Sequence, residues 1–123
     1  MAETILIVDD STLLRTVVKL ALQRAGYDVL DAGDGVEGLK QLDANPKVHL
    51  IVSDVNMPNM DGITFVTHVK QHARHKFAPV IKLTTEGQDE KKQQGKAAGA
   101  KAGIVKPFNP PQLLDAVSKL MLP

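Results

Sequence analysis

Short apolar runs rich in β-branched residues alternate along this chain with longer stretches whose apolar residues recur at helical spacing. Ile5 to Val8, Val29-Leu30, Leu50 to Val52, Val80 to Leu83 and Ile104-Val105 form the first class. Continuously apolar runs of this kind suit parallel strands covered on both faces, not strands with one wet face. The second class reads as helices. Leu13, Leu14, Val17, Val18, Leu20, Ala21 and Leu22 predict an apolar stripe opened by Ser11 or Thr12 as N-cap and stopped at Gly26. Val36, Leu39 and Leu42 mark a second helix; Ile63, Phe65, Val66 and Val69 mark a third. A fourth, from about Lys91 to Ala98, is poor in apolar residues and holds Gly95, which costs ~1 kcal/mol relative to Ala. The last is predicted to start near Pro110-Pro111 and to bury Leu113, Leu114, Val117 and Leu120.

Five strands alternating with five helices predict an α/β domain with right-handed crossovers. A chain of 123 residues can bury a core of its own but has no room for two domains. No linker, repeat or second domain is legible, so one domain over residues 1–123 with no output domain is expected. Fifteen Lys and Arg face fourteen Asp and Glu, a formal charge of +1. That balance gives no general pull toward nucleic acid or an anionic membrane. Cysteine is absent, which removes disulfides and thiolate catalysis from consideration. The N-terminus lacks a signal pattern, and no stretch approaches the ~20 apolar residues of a spanning helix. A soluble, cytoplasmic protein is expected.

In a parallel α/β sheet, function gathers beyond the carboxyl ends of the strands. Asp9 and Asp10 stand at the end of the first predicted strand, Asp54 at the third, Thr84 and Thr85 at the fourth, Lys106 at the fifth. Singly, each has a plain structural explanation. Asp9-Asp10-Ser11 suits a helix cap, Asp54 through Gly62 suits turn chemistry, and Lys106-Pro107 suits a loop entrance. Jointly, at matching strand ends, they converge on one site. Carboxylates brought to about 4 Å repel by about 4 kcal/mol at an effective dielectric of ~20, so such a cluster calls for shared protons or a cation. Mg²⁺ takes one or two carboxylates and keeps waters that phosphate oxygens can replace. Lys106 adds a compact positive charge and Thr84 a hydroxyl donor. An aspartate between a metal and a lysine can accept a phosphoryl group as nucleophile.

The segments Ile-Leu-Ile-Val-Asp9-Asp10-Ser11, Ser53-Asp54-Val-Asn56-Met-Pro58-Asn-Met-Asp61-Gly62, Leu-Thr84-Thr85-Glu86 and Ile-Val-Lys106-Pro107-Phe108 resemble the receiver domains of two-component response regulators. The resemblance spans the whole chain and is strongest to the CheY-like, single-domain chemotaxis regulators. It implies a flavodoxin-like sheet of order 2-1-3-4-5 flanked by five helices. It also implies Asp54 as phosphoacceptor, with Asp10, Asp54 and the Asn56 carbonyl as direct Mg²⁺ ligands and Asp9 acting through a water. Mn²⁺ is an expected substitute. Thr84 would be the switch hydroxyl, Lys106 the counter-ion, and Lys106-Pro107 a cis peptide bond. Asn56, Thr85 and Glu86 would tune the phosphoryl lifetime. The donor would be a CheA-like histidine kinase, with a flagellar motor switch protein and a phosphatase as further candidate partners. A monomer is expected, and no chemistry beyond self-phosphorylation and self-dephosphorylation.

Chemotaxis regulators carry a large aromatic three residues before the lysine; here Gly103 stands there. That shifts weight from flagellar control toward a phosphate sink or a relay. Lys82 interrupts the apolar fourth strand; the favoured reading carries its ammonium out to solvent, the other lays its stem over Gly103. His68, His72 and His75 share helical spacing and read as a solvated face of the third helix rather than a Zn²⁺ site. Lys91, Lys92, Lys96 and Lys101 read equally as solvated surface or as a partner-docking region. Two other classes remain. A Mg²⁺-dependent phosphohydrolase would want a carboxylate where Asn56 stands, and a never-phosphorylated interaction domain would not need the full polar set.

Overall fold

Five parallel strands form one sheet in the order β2-β1-β3-β4-β5. They are β1 (Thr4–Val8), β2 (Asp28–Ala32), β3 (Leu50–Asp54), β4 (Val80–Thr85) and β5 (Ala102–Lys106). The computed structural model describes residues 3–55, 59–85, 102–106 and 108–121, except the side chain of Thr85. Four helices lie among these residues: α1 (Thr12–Arg24), α2 (Gly35–Ala44), α3 (Gly62–Gln71) and α4 (Pro110–Leu120). The helix expected near Lys91 to Ala98 and the basic stretch Lys91, Lys92, Lys96 and Lys101 lie outside the described residues. No helix among the described residues is long and apolar enough to cross a membrane.

Strand alternation divides the core in two. Ile5, Ile7, Val52, Ile81, Leu83 and Ile104 point to one face and pack with Val18 and Leu22 of α1 and Leu113 and Val117 of α4. Leu6, Val8, Ile51 and Val80 point to the other and pack with Leu42 of α2 and Phe65, Val66 and Val69 of α3. Burying one such aliphatic side chain stabilises by roughly 1.5–3 kcal/mol, so the strands are held from both sides. Each observed strand is as long as its apolar run or longer, because ladder partners extend it into polar residues such as Asp28 and Asp54.

Local signals set the helix ends. Ser11 caps α1 by accepting from Leu14 N–H at 3.2 Å, and Gly26 stops the chain behind it at φ +98°, a conformation that favours glycine. Asp34, Asp61 and Asn109 cap α2, α3 and α4 in the same way. The α1 stripe is narrower than its sequence predicts. Val18 and Leu22 are buried, whereas Leu13, Val17 and Leu20 are exposed. Seven apolar positions on thirteen helical residues are more than the sheet can cover.

Candidate functional site

The register of the parallel ladder brings the carboxyl ends of β1, β3, β4 and β5 level. Val8 pairs with Ser53, Asp54 with Leu83, Thr84 with Val105 and Thr85 with Lys106. The polar residues just past these pairings therefore meet. Carboxylate oxygens of Asp9, Asp10 and Asp54 lie within 4.8 Å of one another, Asp9 and Asp54 buried and Asp10 exposed. Lys106 reaches across the sheet, its Nζ 2.9 Å from Asp9 Oδ2 and 3.3 Å from Asp54 Oδ1. Burial by itself would lower the pKa of Lys106. The hydrogen bond to Asp9 and the charges of Asp54 and Asp9 outweigh burial and hold it above its ordinary value, so the ammonium stays charged. Both Asp9 oxygens are engaged, Oδ1 by Ser11 N–H at 2.8 Å and Oδ2 by Lys106. Val55 N–H donates to Asp54 Oδ1 at 2.8 Å. Gly62 folds back over this strand end, its N–H donating to Val55 O at 2.8 Å; a Cβ there would collide with the Asp54 carbonyl.

The donor set consists of oxygens, and one ammonium does not balance three carboxylates. That chemistry fits a hard dication such as Mg²⁺. On β4, one residue beyond the register partner of Asp54, Thr84 is buried and its Oγ1 has no hydrogen-bond partner among the described residues. A buried hydroxyl left so costs roughly 1–3 kcal/mol, which marks a position where an acceptor is missing.

Comparison with known proteins now decides the family. The response regulator receiver domain profile matches residues 5–118. The chain belongs to the receiver domain family. It is 40% identical over 118 residues to the chemotaxis protein CheY1 of Helicobacter pylori, covering 95% of each chain. It is 36% identical to a CheY homolog of Campylobacter jejuni, covering 95% of this chain and 91% of that one. The structure of the chemotaxis response regulator CheY4 of Vibrio cholerae superposes with a TM-score of 0.91 at 45% identity, covering 98% and 99% of the two chains. The family and the 2-1-3-4-5 sheet expected from the motifs are thereby shown.

Within this receiver domain, the structure brings Asp9, Asp10, Asp54 and Lys106 together and places Thr84 on the strand next to Asp54. Asn56, Pro58, Glu86 and Pro107, with the Thr85 side chain, lie outside the described residues. Lys82 departs from its favoured reading. It is 4% exposed, so its ammonium is not carried out to solvent. A Cβ on Gly103 would lie 3.1 Å from Lys82 Cε and 3.5 Å from Cγ, so the stem covers the glycine, as the other reading had it. Lys82 takes this place because it faces Gly103 in register and shares its face of the sheet.

The three histidines do not share a solvated helix face. α3 ends at Gln71, His72 is its C-cap, and His75 lies buried in the following turn. The helical spacing of the three residues does not hold because the chain leaves the helix after Gln71 and caps another one. His75 Nε2 donates to Leu42 O at 3.0 Å and Asn45 O at 2.9 Å, at the end of α2. Arg74 donates to Asp43 O at 2.6 Å, and His72 Nε2 lies 2.9 Å from Asp43 Oδ1.

Sequence reasoning missed two groups beside the site. Arg15 donates to Asp9 O at 2.6 Å and pairs with Asp31, a placement no local signal announces. Asn59 Nδ2 donates to Asp34 Oδ2 at 2.7 Å. The tolerance of asparagine for the left-handed region was the available signal there.

Proposed function

We propose that this chain is a CheY-like response regulator that accepts a phosphoryl group on Asp54 and signals by phosphorylation-dependent protein binding. One observation carries the reading: the buried Thr84 hydroxyl, without a partner among the described residues, stands on the strand beside an Asp54 carboxylate already paired with Lys106. An incoming phosphoryl oxygen supplies the acceptor that Thr84 lacks. A carboxylate oxygen of Asp54 attacks phosphorus, the P–N bond of a phosphohistidine breaks, and its electron pair stays on the imidazole. The nucleophile is a carboxylate paired with Lys106, so the attack calls for no general base. Lys106 follows the charge that passes from carboxylate to phosphoryl oxygens. Asp10, Asp54 and the Asn56 carbonyl would hold Mg²⁺, with Asp9 acting through a water. When bound, the ion supplies positive charge for the phosphoryl oxygens of a loose transition state. Asp9, tied at both oxygens, would keep Lys106 aimed at the site.

The similarity to chemotaxis proteins favours a histidine kinase as donor and a flagellar switch protein as target. Gly103 under Lys82 favours a second reading, a phosphate sink or relay, because no ring at 103 can turn inward. Two experiments address the two levels. Acetyl phosphate with Mg²⁺ should add one phosphoryl group to the intact protein by mass spectrometry, and Asp54→Asn should abolish it. Full labelling of that variant would sink the assignment. A flagellar switch peptide that binds tighter with beryllofluoride supports motor control; equal or absent binding supports the sink or relay.

A further inference from the structure

Asp9 is bonded at each of its polar atoms. Its N–H donates to Ala32 O at 3.1 Å, its Oδ1 accepts from Ser11 N–H at 2.8 Å, and its Oδ2 accepts from Lys106 at 2.9 Å. The fourth bond, to its carbonyl, comes from Arg15 Nη1 at 2.6 Å. Asp10 is the reverse. It is exposed, and among the described residues no hydrogen bond or ion pair holds its carboxylate, which belongs to the acidic cluster with Asp9 and Asp54. Its position is therefore set through the backbone on either side. Ser11 N–H, tied to Asp9 Oδ1, fixes the peptide after it; the peptide before it starts at the carbonyl that Arg15 holds.

The placement of Arg15 follows from its surroundings. A long side chain in an α-helix leans back toward the N-terminus, so a residue one turn into α1 reaches the connection that precedes it. Asp31 on β2, level with Ile7 of β1, stands with Oδ2 3.4 Å from Arg15 Nε and with Oδ1 3.6 Å from Lys19 Nζ. Nε makes no hydrogen bond among the described residues, so Asp31 holds the guanidinium by charge. Gly33 borders it; a Cβ there would lie 3.4 Å from Nη1. A peptide unit is planar, so its carbonyl oxygen and the following Cα turn together. A guanidinium that fixes the Asp9 carbonyl thereby fixes the starting point of Asp10.

We infer that Arg15 is a positioning residue for the cation site: by holding the Asp9 carbonyl, it sets where the Asp10 carboxylate meets a dication. This rests on the reading of Asp10 as a Mg²⁺ ligand beside the phosphoacceptor Asp54. A guanidinium is itself a cation, and its charge alone would repel Mg²⁺. Positioning and charge therefore act on Mg²⁺ binding with opposite signs.

Two variants separate them. Arg15→Met keeps a long apolar stem and loses both the charge and the bond. Arg15→Lys keeps the charge on a shorter side chain without the planar fork that faces Asp9 and Asp31 at once. Mg²⁺ affinity is read by titrating the amide shifts of Asp10 and Val55. The Asp9 carbonyl carbon shift of the metal-free protein reports the bond itself. That shift should move in both variants before any metal is added. Losing one such hydrogen bond should then weaken Mg²⁺ binding about fivefold in Arg15→Met and in Arg15→Lys alike. Mg²⁺ binding in Arg15→Met that equals or exceeds that of the parent overturns the inference. So does an Arg15→Lys protein that binds Mg²⁺ as the parent does while its Asp9 carbonyl shift has moved, because charge without the bond would then suffice. Should Arg15→Met fail to fold, Arg15→Lys decides by the same two readouts. A parent protein that ignores Mg²⁺ overturns the reading of the site itself, a separate and recognisable failure.

Discussion

The strand-end carboxylates and the C-terminal end of α2 both gather charged and titratable side chains, yet they are built on opposite plans. At the end of α2, donors and acceptors match: His75 serves two carbonyls, Arg74 a third, and His72 meets Asp43. Cationic and donor side chains there satisfy orphan carbonyls and complement the negative end of the helix. At the strand ends, among the described residues, like charges are held together, one ammonium faces three carboxylates, and a buried hydroxyl lacks an acceptor. The matched site is complete as it stands and carries stability. The other is left unbalanced among the described residues, as the proposed site for a cation and a phosphoryl group would require. Histidine count is therefore a poor guide to function in this chain, and incompleteness of pairing a better one.

The contrast can be broken by mutation. The largest effect is expected at the matched site. His75→Ala removes a buried ring and strands helix-end carbonyls, which should destabilise by about 2–4 kcal/mol. Urea unfolding followed by circular dichroism measures this, and folded variant should still label on Asp54 with acetyl phosphate. A stability loss below about 1 kcal/mol would show that the cap is not the stabilising element it resembles.

An intermediate effect belongs to Lys82, which is buried like the histidine but sits beside Gly103 on the face of the sheet that carries Thr84. Lys82→Ala empties the space over the glycine and should cost about 1–3 kcal/mol, whereas Lys82→Met keeps the stem and should recover more than half of it. If Met proves no better than Ala in the same unfolding experiment, the ammonium rather than the stem is what matters.

The smallest effect is expected at the unmatched site. Thr84→Val exchanges an unpartnered hydroxyl for a methyl group of similar size, so stability should hold or rise by up to about 1 kcal/mol. A loss comparable to that of His75→Ala would mean that Thr84 is already satisfied, and the contrast between the two regions would fail.

Much of this was legible in the residue pattern. Strand runs such as Ile5 to Val8 and Val80 to Leu83 are found where expected, and Ser11, Gly26 and Pro110 act as the helix signals they resemble. These depend on neighbours a few positions away, so the sequence contains what decides them. The strand-end polar set was equally legible, because a parallel sheet converts residues that end separate strands into neighbours.

What failed depended on partners far away in the chain. Whether Leu13, Val17 and Leu20 are covered depends on how much of α1 the sheet can reach. Whether His75 belongs to a helix face or to a cap depends on α2, 30 and more residues earlier. The same holds for Lys82, whose neighbour Gly103 is supplied by the ladder, and for Asn59, whose partner Asp34 comes from another connection. The sequence by itself determined the alternation of strands and helices, their caps and the chemistry of the strand ends, because each is written in local spacing. Tertiary structure alone decided which polar groups are paired and which are left waiting, because pairing depends on register and close packing between segments distant in the chain.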